Sequence, residues 1–130
     1  MKKTTKNWIL SAEYDLKTAE SLLKSRRKIY AIFLCHLAIE KTIKGVISEK
    51  QAKLPPYTHN LVHLFELAEV SLPEKLNDFV ELINDKSVPM RYPEDILNIE
   101  KQFSMKLTKN YFKKTKEVLQ WLRQNSIQLK

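Results

Sequence analysis

Residues 29–50 carry a hydrophobic segment around which the rest of the chain is predicted to be organised. No Asp, Glu, Lys or Arg occurs from Ile29 to Ile39, and the apolar side chains fall on every side of a helical wheel. A helix that is apolar all round is usually a buried one. Glu40 and Lys41 interrupt the segment before it is long enough to span a bilayer. We therefore predict a central helix that is packed by neighbours on several faces.

One stripe of this central helix is polar. His36, Glu40 and Lys44 follow one another at intervals of four residues, which places them on the same side of a helix. In one interpretation, Glu40 and Lys44 form a surface pair that stabilises the helix by about 0.2–0.5 kcal/mol. In the other, the three side chains form a polar site in a cleft walled by other helices. The surface pair is the more common outcome of such a spacing.

The first predicted helix runs from a cap at Asn7 to about Lys24, with its apolar positions on one seam. Asp15 falls on the same seam. A carboxylate that faces a core is costly unless it is paired or lies at a wet cleft. We therefore expect Asp15 either to pair with a Lys or Arg of a facing helix or to line a cleft. The other seam residues are Trp8, Ala12, Ala19 and Leu22.

Apolar periodicity predicts three further helices, which are joined by connections that contain proline. Thr58 can cap the short helix that follows the Pro55-Pro56 loop, and Pro73 suits the first turn of the helix after it. The predicted helices span residues 60–70, residues 73–86 and about residues 104–124.

Residues 87–103 are predicted to include an extended loop. Pro89 and Pro93 flank the sequence Met-Arg-Tyr, and the residue before each proline is held out of the α region. Arg91 and Tyr92 on such a stiff loop are poor core residues and good ligand contacts. They are therefore candidate binding residues.

The composition favours an all-α fold. The chain has one glycine and five prolines, so hairpin turns that need positive φ are scarce, whereas stiff connections between helices are frequent. The glycine, Gly45, lies within the central helix and indicates a close backbone approach, either a tight crossing in the bundle or a dimer contact. The single cysteine, Cys35, lies in the apolar segment and is expected to behave as a small hydrophobe.

With 130 residues, 43% of them hydrophobic and 29% charged, the chain has the size and composition of one globular domain. Its first residues are basic but are not followed by the apolar region of a signal peptide, so we expect a cytoplasmic protein with no membrane association. His59 and His63 have a spacing that can place two metal ligands on one face. No third ligand is near them in the sequence, and we predict no metal site.

The net charge of +8 is unevenly distributed, because both ends of the chain are basic and the middle is acidic. Basic surfaces of this kind favour polyanions such as RNA, DNA or nucleotide phosphates. In the last predicted helix, four lysines at helical spacing form one stripe, which we term the lysine stripe. An ordinary solvated face is the alternative interpretation of this pattern. The lysine stripe consists of Lys106, Lys109, Lys113 and Lys116.

Four short motifs in a fixed order resemble those of the HEPN domain, a small helical domain associated with nucleotide binding. In chain order they are W-x3-A-x2-D-x3-A at residues 8–19, A-x-E-K-x2-K at residues 38–44, T-H-x-L at residues 58–61 and R-Y-P at residues 91–93. The resemblance covers nearly the whole chain. It implies an up-and-down four-helix bundle with an additional short helix, in a single domain over residues 1–130 that usually forms a homodimer.

The resemblance also suggests two functions that differ in chemistry. Many HEPN proteins are RNA-cleaving toxins, in which an Arg is followed after four to six residues by a His. Arg91 matches that Arg, but no His occurs after it in this chain. The R-Y-P motif instead resembles the HEPN partners of small nucleotidyltransferases, in which the helical subunit binds substrate or is modified. Tyr92 would then be a possible acceptor of a nucleotidyl group.

We therefore predict a HEPN-like module that binds a nucleotide or RNA without a cofactor and acts with a small nucleotidyltransferase in a toxin–antitoxin-type pair. The alternatives are a divergent metal-independent ribonuclease, in which His36 or His59 replaces the missing His, and a helical interaction protein without a ligand. The predicted ligand-binding residues are Arg91, Tyr92, Glu40, Lys44 and Asp15, and the lysine stripe is the predicted nucleic-acid contact.

Overall fold

The computed structural model describes residues 1–51, 53–91 and 96–127 of the chain. Within these residues it contains six helices and no strand, which confirms the predicted all-α class. The helices are α1 (Lys3–Lys24), α2 (Lys28–Lys50), α3 (Leu61–Leu67), α4 (Glu74–Arg91), α5 (Ile96–Gln102) and α6 (Met105–Asn125).

The long helices α1, α2, α4 and α6 form the predicted up-and-down bundle, and α2 is its centre. α2 contacts every other helix of the described structure, and its middle is buried on most sides. The apolar run predicted this environment in outline, because such a surface is stable only when neighbours cover it. The described residues contain two short helices, α3 and α5, whereas the sequence pattern indicated only one.

α1 begins at Lys3, before the predicted cap at Asn7. Lys2 is tied to the end of α2, where its ammonium group donates to the backbone carbonyls of Ser48 at 2.9 Å and Gln51 at 3.0 Å. Thr5 Oγ1 also donates to Glu49 at 2.9 Å. These contacts with a distant segment extend the helix toward the N-terminus. The local sequence around Asn7 could not predict them, because their partners lie far away in the chain.

Gly45 marks the crossing of α2 over α1. A Cβ atom built at this position would lie 3.3 Å from Cβ of Trp8 and 3.4 Å from Cδ1 of Ile9. The glycine therefore lets the two helices approach closely inside one chain. Of the two explanations predicted for Gly45, the structure shows the crossing within the bundle.

The prediction of an extended chain at residues 87–91 is wrong, because α4 continues through Pro89 to Arg91. A proline inside a helix removes one backbone hydrogen bond and disfavours the α conformation of the preceding residue. Here the last turn is held by tertiary contacts: Met90 is buried in the core and the Arg91 side chain is bound to α2. Packing therefore outweighs the local preference.

The remaining boundaries differ little from prediction. α3 is capped by Asn60, whose side chain accepts from the backbone N–H of His63 at 3.2 Å; Thr58 instead accepts from Asn60 N–H at 3.1 Å. α6 begins after Ser104 as predicted. Among the described residues, no helix has the length and apolar character that crossing a membrane requires.

Candidate functional site

Glu40 is the centre of a cluster of charged and polar side chains between α2, α4 and the loop before α3. Its side chain is only 4% exposed. Its carboxylate lies 3.1 Å from Nζ of Lys44, 3.1 Å from Nδ1 of His59 and 3.4 Å from Nη2 of Arg91. A carboxylate buried this deeply must be compensated by cations and hydrogen-bond donors, and the cluster supplies such groups from three segments of the chain.

Arg91 is held in one orientation by three groups. Its Nη2 atom lies 3.1 Å from Nδ1 of His36 as well as 3.4 Å from Glu40, and its guanidinium lies over the ring of Phe33 at 4.8 Å. The side chain is 14% exposed. Nη2 makes both of the hydrogen bonds that join the guanidinium to other described residues, and a guanidinium has five N–H donors in all.

His36 accepts the hydrogen bond from Arg91 because a guanidinium can only donate. Its pKa is lowered to about 4, mainly by burial and then by the positive charge of Arg91, while Glu40 and a hydrogen bond with Asn84 oppose the shift. The imidazole is therefore neutral at pH 7. It serves as a fixed acceptor that positions Arg91.

His59 is the exposed member of the cluster. Its side chain is 56% exposed, and Nδ1 lies 3.1 Å from each carboxylate oxygen of Glu40. Because a carboxylate accepts hydrogen bonds, Nδ1 carries the proton, and in the neutral ring Nε2 is the basic nitrogen. A His oriented by a carboxylate in this way can act as an acid or a base.

His36, His59 and Arg91 of this cluster line a cleft of about 220 Å³. Arg91 carries a permanent positive charge. Lys44 pairs with Glu40, which is the one carboxylate that contacts these two basic side chains in the described part of the chain. The cluster therefore has an excess of positive charge and suits an anion. The cleft is lined by His36, His59, Asn60, Asn84, Ser87, Val88 and Arg91.

The structure brings together three of the five predicted ligand-binding residues: Glu40, Lys44 and Arg91. Asp15 does not contact this cluster in the described structure; its carboxylate pairs with Lys41 at 2.8 Å, which is the ion pair with a facing helix that the sequence allowed. The prediction that Asp15 is a ligand-binding residue of this site is therefore not supported by its contacts. Tyr92 lies outside the described residues.

Sequence reasoning underestimated the contributions of His36 and His59 and missed Asn84 and Phe33. His36 belongs to the polar stripe of α2, and the structure places it in a cleft rather than at the surface. Asn84 binds the backbone N–H of Leu61 at 2.9 Å, so it also joins α4 to the start of α3. No periodic pattern could identify it, because its partners lie far away in the sequence.

The lysine stripe lies exposed along α6, as the helical spacing predicted. Lys116 lies 5.7 Å from the ring of Phe112 on the same helix. The described residues contain no group of three His, Cys, Asp or Glu side chains that could hold a metal ion. Cys35 is buried, and burial raises the pKa of its thiol to about 12, so it is a core residue and not a nucleophile.

Comparison with known proteins identifies both a family and a fold. The sequence model of the HEPN domain matches residues 5–125. TT1696 from Thermus thermophilus is 18% identical, with a TM-score of 0.80 over 95% of this chain and 98% of that one. ST0689, an archaeal HEPN homologue, is 20% identical, with a TM-score of 0.75 over the same shares of the two chains. No curated protein matches the chain significantly.

The low pKa of His36 predicts a stability loss in mild acid. Above pH 6.5 the imidazole is neutral in both the folded and the unfolded chain; between pH 6.5 and about 4 only the unfolded chain binds the proton. Unfolding should therefore be favoured by up to roughly 3 kcal/mol as the pH falls through this range. Urea unfolding of the wild type and of His36→Gln from pH 7 to pH 4.5 measures the effect.

His36→Gln should remove this part of the pH dependence while its amide oxygen still accepts from Arg91. His63→Gln is the matched control, because His63 is exposed on α3. Parallel stability curves for the wild type and His36→Gln would contradict the assignment of His36 as a buried neutral acceptor.

Proposed function

The chain belongs to the HEPN domain family, and from this premise we propose that it is a nucleotide- or RNA-binding module whose cleft holds a phosphate group. The observation that carries the proposal is the fixed guanidinium of Arg91 at a cleft with excess positive charge. The imidazole of His36 and the carboxylate of Glu40 orient it before any ligand arrives. Pre-organisation of this kind reduces the entropy lost on binding.

Arg91 suits a phosphate better than a lysine at the same place would. A guanidinium can donate two parallel hydrogen bonds to one phosphate, whereas an ammonium group acts as a point charge. Lys44 is largely buried beside Glu40 and lies 5.7 Å from the ring of Trp8, so its role is to balance the carboxylate. Glu40 therefore orients Arg91 and His59 and does not itself contact the anion.

The lysine stripe of α6 would extend this interaction to a longer polyanion. Its four ammonium groups are exposed on one helix, and the chain as a whole has a net charge of +8. Charge of this kind attracts a nucleic-acid backbone without reading its sequence. We assign to the stripe the non-specific part of RNA binding, and to the cleft the recognition of one phosphate.

A homodimer is part of the same proposal. One face of helix α2 is only partly covered in the described structure, and Tyr30 of this face lines the same surface pocket as the exposed Leu97 of α5. Arg91 packs on Phe33 of this face, so a second copy seated there would lie beside the cleft. The face consists of Tyr30, Phe33, Leu34 and Leu37.

We also propose, from the R-Y-P resemblance, that the protein acts in the cytoplasm with a small nucleotidyltransferase in a toxin–antitoxin-type pair. Tyr92 follows the site residue Arg91 directly in the sequence. The residue that accepts the nucleotidyl group would therefore be the sequence neighbour of the phosphate-binding arginine. This part of the proposal rests on the motif alone.

The contact between His59 and Glu40 favours a second candidate function, metal-independent RNA cleavage. Nε2 of His59 would take the proton of a ribose 2′-hydroxyl, whose oxygen attacks the adjacent phosphorus. The bond from phosphorus to the 5′-oxygen breaks, that oxygen takes a proton from water, and a cyclic phosphate remains. Arg91 would stabilise the charge that develops on the phosphate.

Substitution of His59 separates the two candidate functions. Cleavage of RNA that disappears in His59→Ala would support the ribonuclease, whereas RNA that the wild type binds and leaves intact would support the binding module.

Substitution of Arg91 tests the proposed phosphate site. Arg91→Lys and Arg91→Ala should each weaken binding of adenosine 5′-monophosphate about tenfold or more, because neither retains the two-bond contact. Arg91→Ala should also destabilise the fold by about 1–3 kcal/mol, because Glu40 loses one of its buried partners. Calorimetric titration and urea unfolding measure the two effects separately.

Arg123 offers a matched control, because it forms an ion pair with Glu13 on another part of the bundle. Arg123→Ala should leave nucleotide affinity unchanged. If both Arg91 variants unfold more easily but bind the nucleotide as the wild type does, Arg91 is a structural residue and the proposed site is wrong.

Salt dependence tests the lysine stripe. Binding of a short oligouridylate should weaken steeply with salt, with a slope of log affinity against log salt of roughly 0.7 per phosphate contacted. Lys109→Gln with Lys113→Gln should reduce that slope by about 1–2. The matched control is Lys17→Gln with Lys24→Gln, which makes the same charge change at exposed residues of α1 and should leave the slope unchanged. Equal slopes for all three proteins would make the stripe an ordinary solvated face.

Light scattering tests the dimer and its face. The wild type should have about twice the chain mass of 15.4 kDa at micromolar concentration. Tyr30→Glu with Leu97→Glu should give a monomer, because charge would be buried in the interface. Tyr14→Glu, at a residue of α1 that is 74% exposed, should remain dimeric. A monomeric wild type would exclude the dimer, and a dimeric double variant would exclude this face.

A further inference from the structure

Asn84 lies on α4 two helical turns before Arg91, and both side chains line the cleft. The amide oxygen of Asn84 accepts a hydrogen bond from the backbone N–H of Leu61 at 2.9 Å. Because a backbone N–H can only donate, this contact fixes which end of the amide is the oxygen. The acceptor end of Asn84 is therefore held in place by the start of α3.

The tautomer of His36 decides whether it can hold Arg91. Its Nδ1 accepts from Nη2 of Arg91 at 3.1 Å, so in the neutral ring the proton lies on Nε2. Glu40 opposes this arrangement, because its Oε1 lies 3.7 Å from the same Nδ1 and a carboxylate favours a proton there. A ring protonated on Nδ1 could not accept from the guanidinium. The site therefore requires a group that keeps the proton on Nε2.

Asn84 is that group. Its side chain forms a hydrogen bond with His36 that raises the pKa of the imidazole, which is the effect of an oxygen that accepts from the ring. Since Nδ1 is engaged by Arg91, the nitrogen that donates to Asn84 is Nε2. A carbonyl oxygen has two lone pairs, so it can accept from both His36 and the N–H of Leu61.

We propose that Asn84 selects the His36 tautomer that holds Arg91, and so acts as a positioning residue of the phosphate site. Its effect on ligand binding rests on the proposed function, whereas the choice of tautomer does not. One amide thereby connects the start of α3 to the acceptor of the guanidinium. The orientation of Arg91 is thus set by a residue that does not itself contact Arg91 or the phosphate.

The ¹⁵N chemical shifts of the His36 ring, measured at pH 8, report which nitrogen carries the proton. The wild type should have the proton on Nε2. Arg91→Ala should retain this tautomer, because Asn84 still accepts from Nε2. Arg91→Ala combined with Asn84→Leu should move the proton to Nδ1, where Glu40 is the remaining acceptor. A wild-type ring protonated on Nδ1, or the same tautomer in both variants, would overturn the inference.

Titration of adenosine 5′-monophosphate tests the effect on the site. Asn84→Leu should weaken binding by about threefold to tenfold, because Arg91 loses its fixed acceptor. The same substitution in the Arg91→Ala background should have no further effect, since Asn84 acts through the arginine. Asn77→Leu is the matched control, at an exposed asparagine of α4 that lines a different pocket, and it should bind as the wild type does.

The outcomes distinguish this inference from the proposed function. An equal loss of affinity from Asn84→Leu with and without Arg91 would make Asn84 a direct ligand contact and overturn its positioning role. A wild type that does not bind the nucleotide would overturn the proposed function, and the tautomer comparison would still decide whether Asn84 selects the protonated nitrogen. The wild-type spectrum keeps the inference testable even if Asn84→Leu does not fold.

Discussion

The buried carboxylate of Glu40 is the constraint on which the candidate site depends. A carboxylate with a 4% exposed side chain is stable only if cations and hydrogen-bond donors surround it. Lys44 comes from the same helix, His59 from the loop before α3 and Arg91 from the end of α4. One acidic group thereby fixes the relative positions of three segments that are far apart in sequence. The site and this part of the fold are stabilised by the same contacts.

This arrangement explains why α4 passes through Pro89. The helix loses a backbone hydrogen bond at the proline, yet the turn beyond it carries the buried Met90 and the guanidinium that Glu40 requires. Were the chain to become extended at Ser87, Arg91 would leave His36 and Glu40. The cost of the proline is therefore offset by contacts with α2, and the arginine reaches the cleft from a rigid element rather than from a loop.

The sequence predicted those features that depend on spacing within one helix. The central position of α2 and the common face of His36, Glu40 and Lys44 follow from periodicity, and so does the lysine stripe of α6. It could not predict whether the polar face was a surface or a cleft, because that depends on α4 and on the loop at His59. Val88 precedes Pro89 and locally prefers an extended conformation. Tertiary contacts of α4 outweigh this preference, and spacing within one helix does not predict such contacts. Asp15 shows the intermediate case, since pairing with a facing helix was expected but its partner, Lys41, was not identifiable.

The two histidines of the site have environments that separate their chemistry. His36 is buried, is neutral at pH 7 and accepts from Arg91, so it cannot deliver a proton without losing its hold on the guanidinium. His59 is exposed and is oriented by Glu40 through one nitrogen. A HEPN chain in which no His follows the arginine thus retains an imidazole at the cleft, supplied by a different segment of the chain. Phosphate binding requires only that His36 hold Arg91 in place. RNA cleavage would require that a ribose 2′-hydroxyl also reach His59, which makes the position of the bound sugar the variable that decides between the two functions.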